Sequence, residues 1–445
     1  MTAPTRTRPP GPPMGPVGVV RLLSTLIRRD LPPLRMVELG RDYPRIASIG
    51  TQRQHAYLVS HPDLVRELLV VQSRSVEKGP ALLSAGILLG NGLLTLRNTE
   101  HKPRRRLVNP SFHHSRIAHY ADVMVSATDA LDRRWAALRP GTEIDLAQEM
   151  SALTLQIVGQ ALFGADLGTE SEDVYRSLEL AMSGWEKTLV PGGDRLLQVP
   201  LPVFRRMWGA KQSLDGIVER LVHRAHEQRG DDVVSGLLDS LTEDQVRAEA
   251  MTLLLAGHET TANSLTWTWH LLSRNPKVAA RLRQEVVGTD PTYASLRDLP
   301  FTTACIAEGM RLYPPAWILE REVTEELVLD GYVLPRGSIV VASQYALHRD
   351  PRWWRDASVF DPSRWLTDGQ FDEDAPGQPR GAWFPFGAGS RQCIGESFAW
   401  AEAVLVLARL ARHWAPQSLR DPKLHAAVTL RPEGGLPARL LAAPH

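Results

Sequence analysis

A single predicted helix of about 33 residues is the feature that most limits how this chain can fold. Thr242 and Gln245 have the spacing of a capping box at its start, and the Asn275-Pro276 pair ends it. At a rise of 1.5 Å per residue, such a helix is about 50 Å long, which is enough to cross a whole domain. It favours one large, mostly helical unit over several small domains.

The composition agrees with that interpretation. With 445 residues, 43% of them hydrophobic, the chain can bury a large core. A prior of roughly 150 residues per domain suggests three domains, but no repeat or low-complexity linker divides the middle of the sequence. We predict a mainly α fold with small β-sheets. Residues 1–30 are expected to form a proline-rich arm and a short helix, and residues 31–445 a single domain.

Charge, cysteine content and the N-terminus restrict partners and location. A net charge of +1 provides no global field that would attract nucleic acid or membrane. Two cysteines, Cys305 and Cys393, are too few for a disulfide framework or a CxxC zinc site and indicate a reducing, intracellular setting. The apolar stretch 17–27 is interrupted by Arg21 and is shorter than the about 20 residues of a spanning helix. We expect a cytoplasmic protein without a transmembrane segment; the alternative is a peripheral membrane contact by this short helix.

The predicted strands cluster at the two ends of the sequence. Residues 45–50 and 55–60 alternate as the two strands of a hairpin. Residues 327–343 alternate again, with turns at Gly331 and at Pro335-Arg336-Gly337. Residues 428–442 are predicted to form a further small hairpin.

Cys393 lies in a glycine-rich loop, FPFGAGSRQCIG, just before a predicted helix. At a helix start, the outward-pointing N–H groups and the helix dipole favour an anion such as a thiolate. Arg391 adds a cation, and Phe386 adds an aromatic wall. A lone thiolate does not fit structural zinc, but it fits haem, which brings its own equatorial ligands. Three glycines permit tight turns and the close approach of a flat ligand: Gly387, Gly389 and Gly395.

This loop resembles the haem-binding signature of the cytochrome P450 superfamily, FxxGxRxCxG, at every fixed position. The resemblance implies the P450 fold, with haem b buried between the long central helix and the helix that follows the loop, and with Cys393 as the axial thiolate ligand of the iron. From the loop alone, the alternative is a buried structural cysteine. The loop residues expected to bind haem are Phe386, Gly387, Arg391, Cys393 and Gly395.

The sequence AGHETT, midway along the long helix, resembles the oxygen-activating segment of the family. Ala256 and Gly257 would leave room beside the haem. The resemblance assigns Thr260 a hydrogen bond to iron-bound dioxygen and Glu259 a role in proton delivery. The alternative is that Thr260 bonds to a carbonyl of its own helix and Glu259 faces solvent. His258 is expected to be structural, with proton donation as its alternative.

Glu308 and Arg311 form an ExxR pair, whose spacing puts both charges on one face of a helix. Alone, such a pair is usually a solvated surface salt bridge. The segment FDPSRW, however, resembles the meander motif of the family, whose arginine completes a structural Glu–Arg–Arg network. The resemblance maps that arginine onto Arg364. Ser363 and Trp365 depart from the commonest form of the motif.

Four residues match positions that hold the haem propionates in the family. His101 and Arg105 are spaced by four and would face the same way on a helix. Arg321 and Arg391 fit the remaining positions, and arginine suits a carboxylate. Three further cations lie in the same stretch of sequence as His101 and Arg105. They form either a solvated face of the helix or a docking patch for an acidic electron donor: Lys102, Arg104 and Arg106.

The resemblance implies a monooxygenase that inserts one oxygen atom of O2 into an apolar small molecule, such as a terpene or another secondary metabolite. Because the 445 residues are used by the haem domain, electrons are expected from a ferredoxin or flavodoxin with its reductase. A monomer is expected. The alternatives are a haem-thiolate peroxygenase or isomerase, and a non-catalytic haem-based ligand-binding protein. Candidate substrate contacts, each of which could equally be core, are Ile87, Ala256, Trp317, Ile318 and Leu436.

Overall fold

A computed structural model describes residues 8–12, 31–51, 54–168, 170–188, 197, 201–378 and 380–443. The arm and short helix predicted over residues 1–30 therefore lie outside the described residues, except for 8–12. The chain divides into two compact units. The first comprises Met1–Leu82, Ala307–Cys393 and Lys423–Arg431, and the second comprises Leu83–Ile306, Ile394–Pro422 and Pro432–His445.

A five-stranded sheet organises the first unit. The predicted N-terminal hairpin is confirmed, since Ile46–Ser48 pairs antiparallel with Ala56–Val59. Ala56–Val59 then pairs in parallel with Ile339–Ala342, and the latter pairs antiparallel with Leu319–Val323. Val76–Lys78 completes the edge beside Leu319–Val323. Aliphatic side chains from all five strands enter one buried cluster, so burial fixes the register of the sheet.

The predicted turn at Gly331 is also confirmed. Leu327–Leu329 pairs antiparallel with Tyr332–Leu334, and the connecting Asp330 and Gly331 have φ angles of 53° and 78°. Glycine has no Cβ to oppose such an angle, so it suits the second of these positions.

The predicted C-terminal hairpin is wrong. Leu430–Pro432 pairs with Leu424–Ala426, whereas Pro437–Arg439 pairs with Gln417–Ser418 and Glu143–Asp145. The alternation identified the strands correctly but could not identify their partners. Pro432 and Pro437 carry no N–H group, so a ladder between these two strands would lack donors.

The remaining regular elements of the first unit are short. Its helices are Leu31–Asp42, Pro62–Arg66, the π-helix Glu67–Val71, Gln344–Leu347, and the 3₁₀ turns Pro362–Trp365 and Gly389–Arg391. Its last strand pair is Leu366–Thr367 with Gln370–Phe371. Two helices contain a boundary between the units: Pro80–Ser84 and Pro300–Leu312.

The second unit is mainly helical and is built around Glu243–Arg274, called the long helix below. The predicted capping box is confirmed, because Thr242 and Gln245 each accept a hydrogen bond from the other's backbone N–H. The helix has 32 residues and its C-cap is Asn275, as expected. The other helices of the unit are Gly86–Leu89, Asn98–Val108, Asn109–Phe112 (3₁₀), His114–Ala136, Leu146–Phe163, Ser171–Glu186, Pro202–Glu227, Val233–Leu237, Pro276–Val286, Leu296–Asp298 (3₁₀) and Glu396–Ala411.

In the described residues, helices contain far more residues than strands, which have only two to five residues each, in agreement with the predicted mainly α fold. The long helix packs along Leu146–Phe163, and Glu396–Ala411 packs against His114–Ala136. Within the described ranges, no helix is both long and apolar enough to cross a membrane.

Candidate active site

The loop around Cys393 is tightly folded, and its glycines are needed where they stand. Gly387 and Gly389 have φ angles of 71° and 70°. A Cβ on Gly389 would lie 2.1 Å from the carbonyl oxygen of Leu69, so no side chain fits there. The N–H of Cys393 donates to the carbonyl of Phe386 at 2.9 Å, which closes the loop and leaves the cysteine side chain exposed.

Glu308, Arg311 and Arg364 are brought together in the first unit. Arg311 donates to both carboxylate oxygens of Glu308, at 2.7 and 2.8 Å, and both side chains are fully buried. Arg364 donates to Glu308 at 3.0 Å. The indole N–H of Trp365 donates to the other oxygen at 2.9 Å. Sequence reasoning treated Trp365 as a departure from the motif, yet it supplies a further donor to the buried carboxylate.

His348 links this network to the start of the cysteine loop, a role that the sequence did not suggest. Its carbonyl accepts from Arg311 at 2.7 Å, and its ring Nε2 accepts from the backbone N–H of Phe384 at 3.1 Å. Burial and the nearby Arg311 lower the pKa of His348 well below its usual value, so the ring is neutral and can accept.

Arg321 has surroundings that fit an anionic ligand. Its side chain is 7% exposed, and burial lowers its pKa to about 10. The guanidinium donates to the carbonyl of Glu320 at 2.9 Å. Among the described residues, no carboxylate lies within ion-pair distance of it. A buried guanidinium normally has a carboxylate partner, and a haem propionate is a group of that kind.

The helix Asn98–Val108 in the second unit carries the other predicted propionate residues. His101 is buried and Arg105 is half-buried, one turn apart on this helix. Arg104 lies between these two residues in the sequence, and its interpretation as part of a solvated face or docking patch is wrong. Arg104 is buried and forms an ion pair of 2.8 Å with the fully buried Glu249. Lys102 and Arg106, in contrast, are exposed.

The AGHETT segment contains the exposed part of an otherwise buried stretch of the long helix. Ala256 is exposed, and Thr260, one turn later, is half-buried. The Thr260 hydroxyl donates to the carbonyl of Ala256 at 2.9 Å, which is the within-helix bond considered above as an alternative. The hydroxyl oxygen can still accept hydrogen bonds. Glu259 is also half-buried.

His258 behaves as the structural residue that was expected. It is 2% exposed, and its Nδ1 lies 2.7 Å from the carbonyl of Leu254. Burial lowers its pKa, so the ring is neutral and donates from Nδ1. Its own carbonyl accepts from Thr154 at 3.1 Å, which ties the long helix to Leu146–Phe163.

The candidate substrate contacts divide into core and exposed residues. Leu436 is 0% exposed and Trp317 is 6% exposed, with the Trp317 indole N–H donating to the carbonyl of Ala427 at 2.8 Å. These two are ordinary core residues. Ile318 is half-buried and Ile87 is 39% exposed, so each retains apolar surface that a ligand could cover.

A buried carboxyl that sequence reasoning missed lies on the helix after the cysteine loop. Glu402 is 0% exposed. The nearby Thr261 hydroxyl acts to lower the pKa of this carboxyl, but its effect is smaller than that of burial. Neither oxygen makes a hydrogen bond of good geometry within the described residues. Burial raises the pKa of Glu402 well above its usual value. Its signal in the sequence is a single acid within the apolar run AEAVLVLA.

The predicted site residues are shared between the two units. Those in the first unit are Arg321, Phe386, Gly387, Arg391 and Cys393, with Glu308, Arg311, Arg364, Trp317 and Ile318. Those in the second unit are Ile87, His101, Arg105, Ala256, Glu259, Thr260, Gly395 and Leu436.

Comparison with known proteins identifies the family. The chain is similar to a cyclooctatin synthase of Streptomyces melanosporofaciens, with 37% identity over 87% of this chain and 86% of the relative. It is 33% identical to a cyclooctat-9-en-7-ol 5-monooxygenase of the same organism, over 90% of this chain and 88% of the relative. A pentalenene oxygenase of Streptomyces avermitilis is 32% identical over 90% of both chains. The family model of cytochrome P450 matches residues 9–434, which include parts of both units, and the chain therefore belongs to the cytochrome P450 family.

Proposed function

We propose that this protein is a haem-thiolate monooxygenase that inserts one atom of O2 into an apolar, terpene-like small molecule, with Cys393 as the iron ligand. The observation that carries the proposal is the cysteine loop. It presents an exposed cysteine from a tight turn that tolerates no side chain at Gly389. The bound haem would supply the activation of dioxygen.

The residues proposed to hold haem have the required chemistry. Cys393 would bind the iron, and its position just before the N-terminus of Glu396–Ala411 favours the anionic thiolate. Arg321 would hold one propionate, because a buried guanidinium needs an anion to offset its desolvation. His101 and Arg105 would bind the other, together with Arg391.

Thr260 and Glu259 are proposed to manage protons. The Thr260 hydroxyl would donate a hydrogen bond to dioxygen by releasing the carbonyl of Ala256, and Glu259 would bring protons from solvent to that hydroxyl. Ala256, exposed one turn before Thr260, would leave space for dioxygen and for the reacting carbon atom of the substrate.

The substrate class rests on the relatives and on the candidate pocket residues. The names of two relatives describe substrates that are an alkene and an unsaturated alcohol. Ile87, Ala256 and Ile318 offer apolar surface to such a molecule.

We propose electron delivery by a ferredoxin or flavodoxin with its reductase, with the exposed Lys102 and Arg106 as part of the docking surface. A monomer in the cytoplasm, where a thiol stays reduced, is proposed with it.

The test begins with the purified, reduced protein under carbon monoxide. We expect the red-shifted Soret band of thiolate-ligated haem in the native protein and its loss in Cys393→Ser. Donor-supported oxidation of pentalenene, used as a probe substrate, should consume NAD(P)H and release an oxygenated product. Ligand binding without turnover, despite competent donors, would favour a haem-based binding protein, and turnover that requires added peroxide would favour a peroxygenase.

Thr260→Ala separates proton management from haem binding. The variant should keep the Soret band, because Thr260 is not an iron ligand. It should lose roughly tenfold or more of its product per NAD(P)H, since one positioned acid–base group contributes about 10²–10⁴-fold in rate. Thr261→Ala is the neighbouring control. Unchanged coupling in Thr260→Ala would contradict the assigned role.

A further inference from the structure

We infer that Glu249 is a positioning residue that fixes the segment Gly90–Leu96, called the pocket segment below, onto the long helix and thereby sets which ligands the site accepts. The inference deepens the proposed function and rests on it for the ligand class. The contacts that carry it all lie within the second unit.

Glu249 uses both of its carboxylate oxygens for buried contacts with two different parts of the chain. Oε1 accepts from Arg104 at 2.8 Å, and Oε2 accepts from the backbone N–H of Leu93 at 3.0 Å. Glu249 is 0% exposed and Arg104 is 8% exposed. Removing one member of such a pair leaves the other charge buried and uncompensated, so the contact is strongly coupled to local structure.

The backbone of the pocket segment lies directly against the long helix at the same place. A Cβ on Gly92 would lie 2.1 Å from the Thr252 hydroxyl and 2.5 Å from the carbonyl oxygen of Ala248. Gly90 has a φ angle of 71° and would place a Cβ 3.1 Å from that of Ala248. The segment approaches this closely only because it has glycine at these positions.

Internal hydrogen bonds hold the shape of the pocket segment. The Thr95 hydroxyl donates to the carbonyl of Gly90 at 2.6 Å, and the N–H groups of Thr95 and Leu96 both donate to the carbonyl of Gly92 at 2.9 Å. The segment is thus a compact turn with Leu93 near its middle. Glu249 is the group that anchors this turn by a charge-assisted bond.

The position of Glu249 on the long helix connects the anchor to the proposed active site. Glu249 and Ala256 are seven residues apart, which is close to two full turns, so they share a face of the helix about 10 Å apart along its axis. The other partner, Arg104, stands next to Arg105 and one turn after His101 on its own helix. Glu249 therefore joins the helix of the proposed propionate residues, the pocket segment and the oxygen-binding face.

The consequence is a defined dependence on ligand size. Gly92 packs against Thr252, which lies one turn before Ala256 on the long helix, and this places the pocket segment beside the proposed oxygen-binding face. A ligand that reaches only the iron would not need the segment fixed, whereas a bulky one would have to fit against it. When only a fraction of molecules has the segment in place, the apparent dissociation constant of the bulky ligand rises in inverse proportion to that fraction. Loss of the Glu249 charge should thus weaken the binding of bulky ligands more than the binding of small ones.

The test uses the haem-loaded protein and two azole probes, imidazole and 1-phenylimidazole, titrated by their Soret shifts. We expect Glu249→Gln to raise the dissociation constant of 1-phenylimidazole by about tenfold and that of imidazole by less than about twofold. Amide hydrogen exchange in a peptide covering the pocket segment should quicken by at least about tenfold, because exchange follows local opening. Glu243→Gln is the matched control, since Glu243 pairs with Arg247 at 2.7 Å on the exposed surface of the same helix.

Arg104→Lys is the milder second variant, which keeps a cation beside Glu249 should the glutamine variant fail to fold. This variant should also bind 1-phenylimidazole more weakly while binding imidazole almost normally, but the loss should be smaller than in Glu249→Gln. Equal weakening of both azoles, or unchanged exchange in the pocket segment, would overturn the inference. Hydrogen exchange does not require turnover, so it tests the role of Glu249 independently of enzymatic activity. Absence of the thiolate Soret band would therefore reject the proposed function and leave the role of Glu249 to be decided by exchange.

Discussion

At the scale of single residues, two fully buried carboxyl groups of this protein have contrasting surroundings. Glu308 receives hydrogen bonds from Arg311, Arg364 and Trp365, so its charge is offset on every side. Glu402 lacks such donors among the described residues, and burial raises its pKa. These surroundings favour the neutral form of the carboxyl over the charged one, because ionisation in a medium of low polarity is costly.

This difference predicts how stability depends on pH. As the pH rises, the unfolded chain releases the Glu402 proton first, near its ordinary pKa of about 4.3. The contribution of Glu402 to stability is therefore fully present below that pH and is lost as the pH rises towards the higher pKa of the folded protein. From about pH 5 to about pH 8, the stability of Glu402→Gln should therefore rise relative to that of the native protein, because glutamine has no proton to release.

Thermal unfolding of both haem-loaded proteins across that range measures the effect. Glu172→Gln serves as the control, because Glu172 is 67% exposed and pairs with Arg176 on the surface. Its profile should stay within about 0.5 kcal/mol of the native one at each pH. Parallel profiles for Glu402→Gln and the native protein would contradict the neutral, buried acid.

At the scale of elements, the C-terminal part of Pro300–Leu312 is fixed by its charged pair rather than by apolar packing alone. Besides Glu308, the Arg311 guanidinium donates to the carbonyls of His348, Ala357 and Val359. One side chain thus satisfies three backbone carbonyls in the segment that follows the sheet. The planar fork of arginine makes this possible, and lysine, with a compact ammonium, cannot reproduce it.

A graded series tests the network. Trp365→Phe removes one neutral donor and should cost about 1 kcal/mol, the typical net value of a hydrogen bond. Arg311→Lys leaves buried acceptors and should cost about 3–5 kcal/mol. Chemical denaturation gives both values. A cost for Arg311→Lys no larger than that for Trp365→Phe would show that the fork geometry is unimportant.

The start of the long helix gives a second prediction at this scale. Thr242 accepts the N–H of Gln245, so Thr242→Ala should destabilise the protein by roughly 0.5–2 kcal/mol. Thr242→Ser keeps the hydroxyl and should restore most of the loss. Chemical denaturation measures both variants, and equal losses for serine and alanine would exclude the cap as the cause.

At the scale of the whole molecule, the proposed haem is a ligand of the folded state. Among the described residues, Arg321 has no carboxylate partner of the kind that Glu308 is for Arg311. A propionate held by Arg321, like an iron bound by Cys393, would gain these contacts only in the folded protein. A group that binds the folded protein and not the unfolded chain raises stability by mass action.

Removal of haem should therefore lower the melting temperature. An affinity giving a bound-to-free ratio near 1,000 corresponds to about 4 kcal/mol of added stability. Calorimetry of the haem-loaded and haem-free proteins measures the difference, and Arg321→Met should reduce it because the variant lacks the guanidinium. Identical melting temperatures with and without haem would contradict the assignment of these residues.

The sequence by itself determined the features that depend on neighbours along the chain: the long helix with its cap and stop, the turn at Gly331, the cysteine loop and the family. These follow from backbone sterics, periodicity and fixed spacing, which are local properties. Only the tertiary structure decided the burial of Arg104 against Glu249, the additional donor Trp365 to Glu308, the separate partners of the C-terminal strands and the core positions of Leu436 and Trp317. Each of these depends on which distant segment arrives at a residue, and a periodic pattern marks a buried face without naming what covers it.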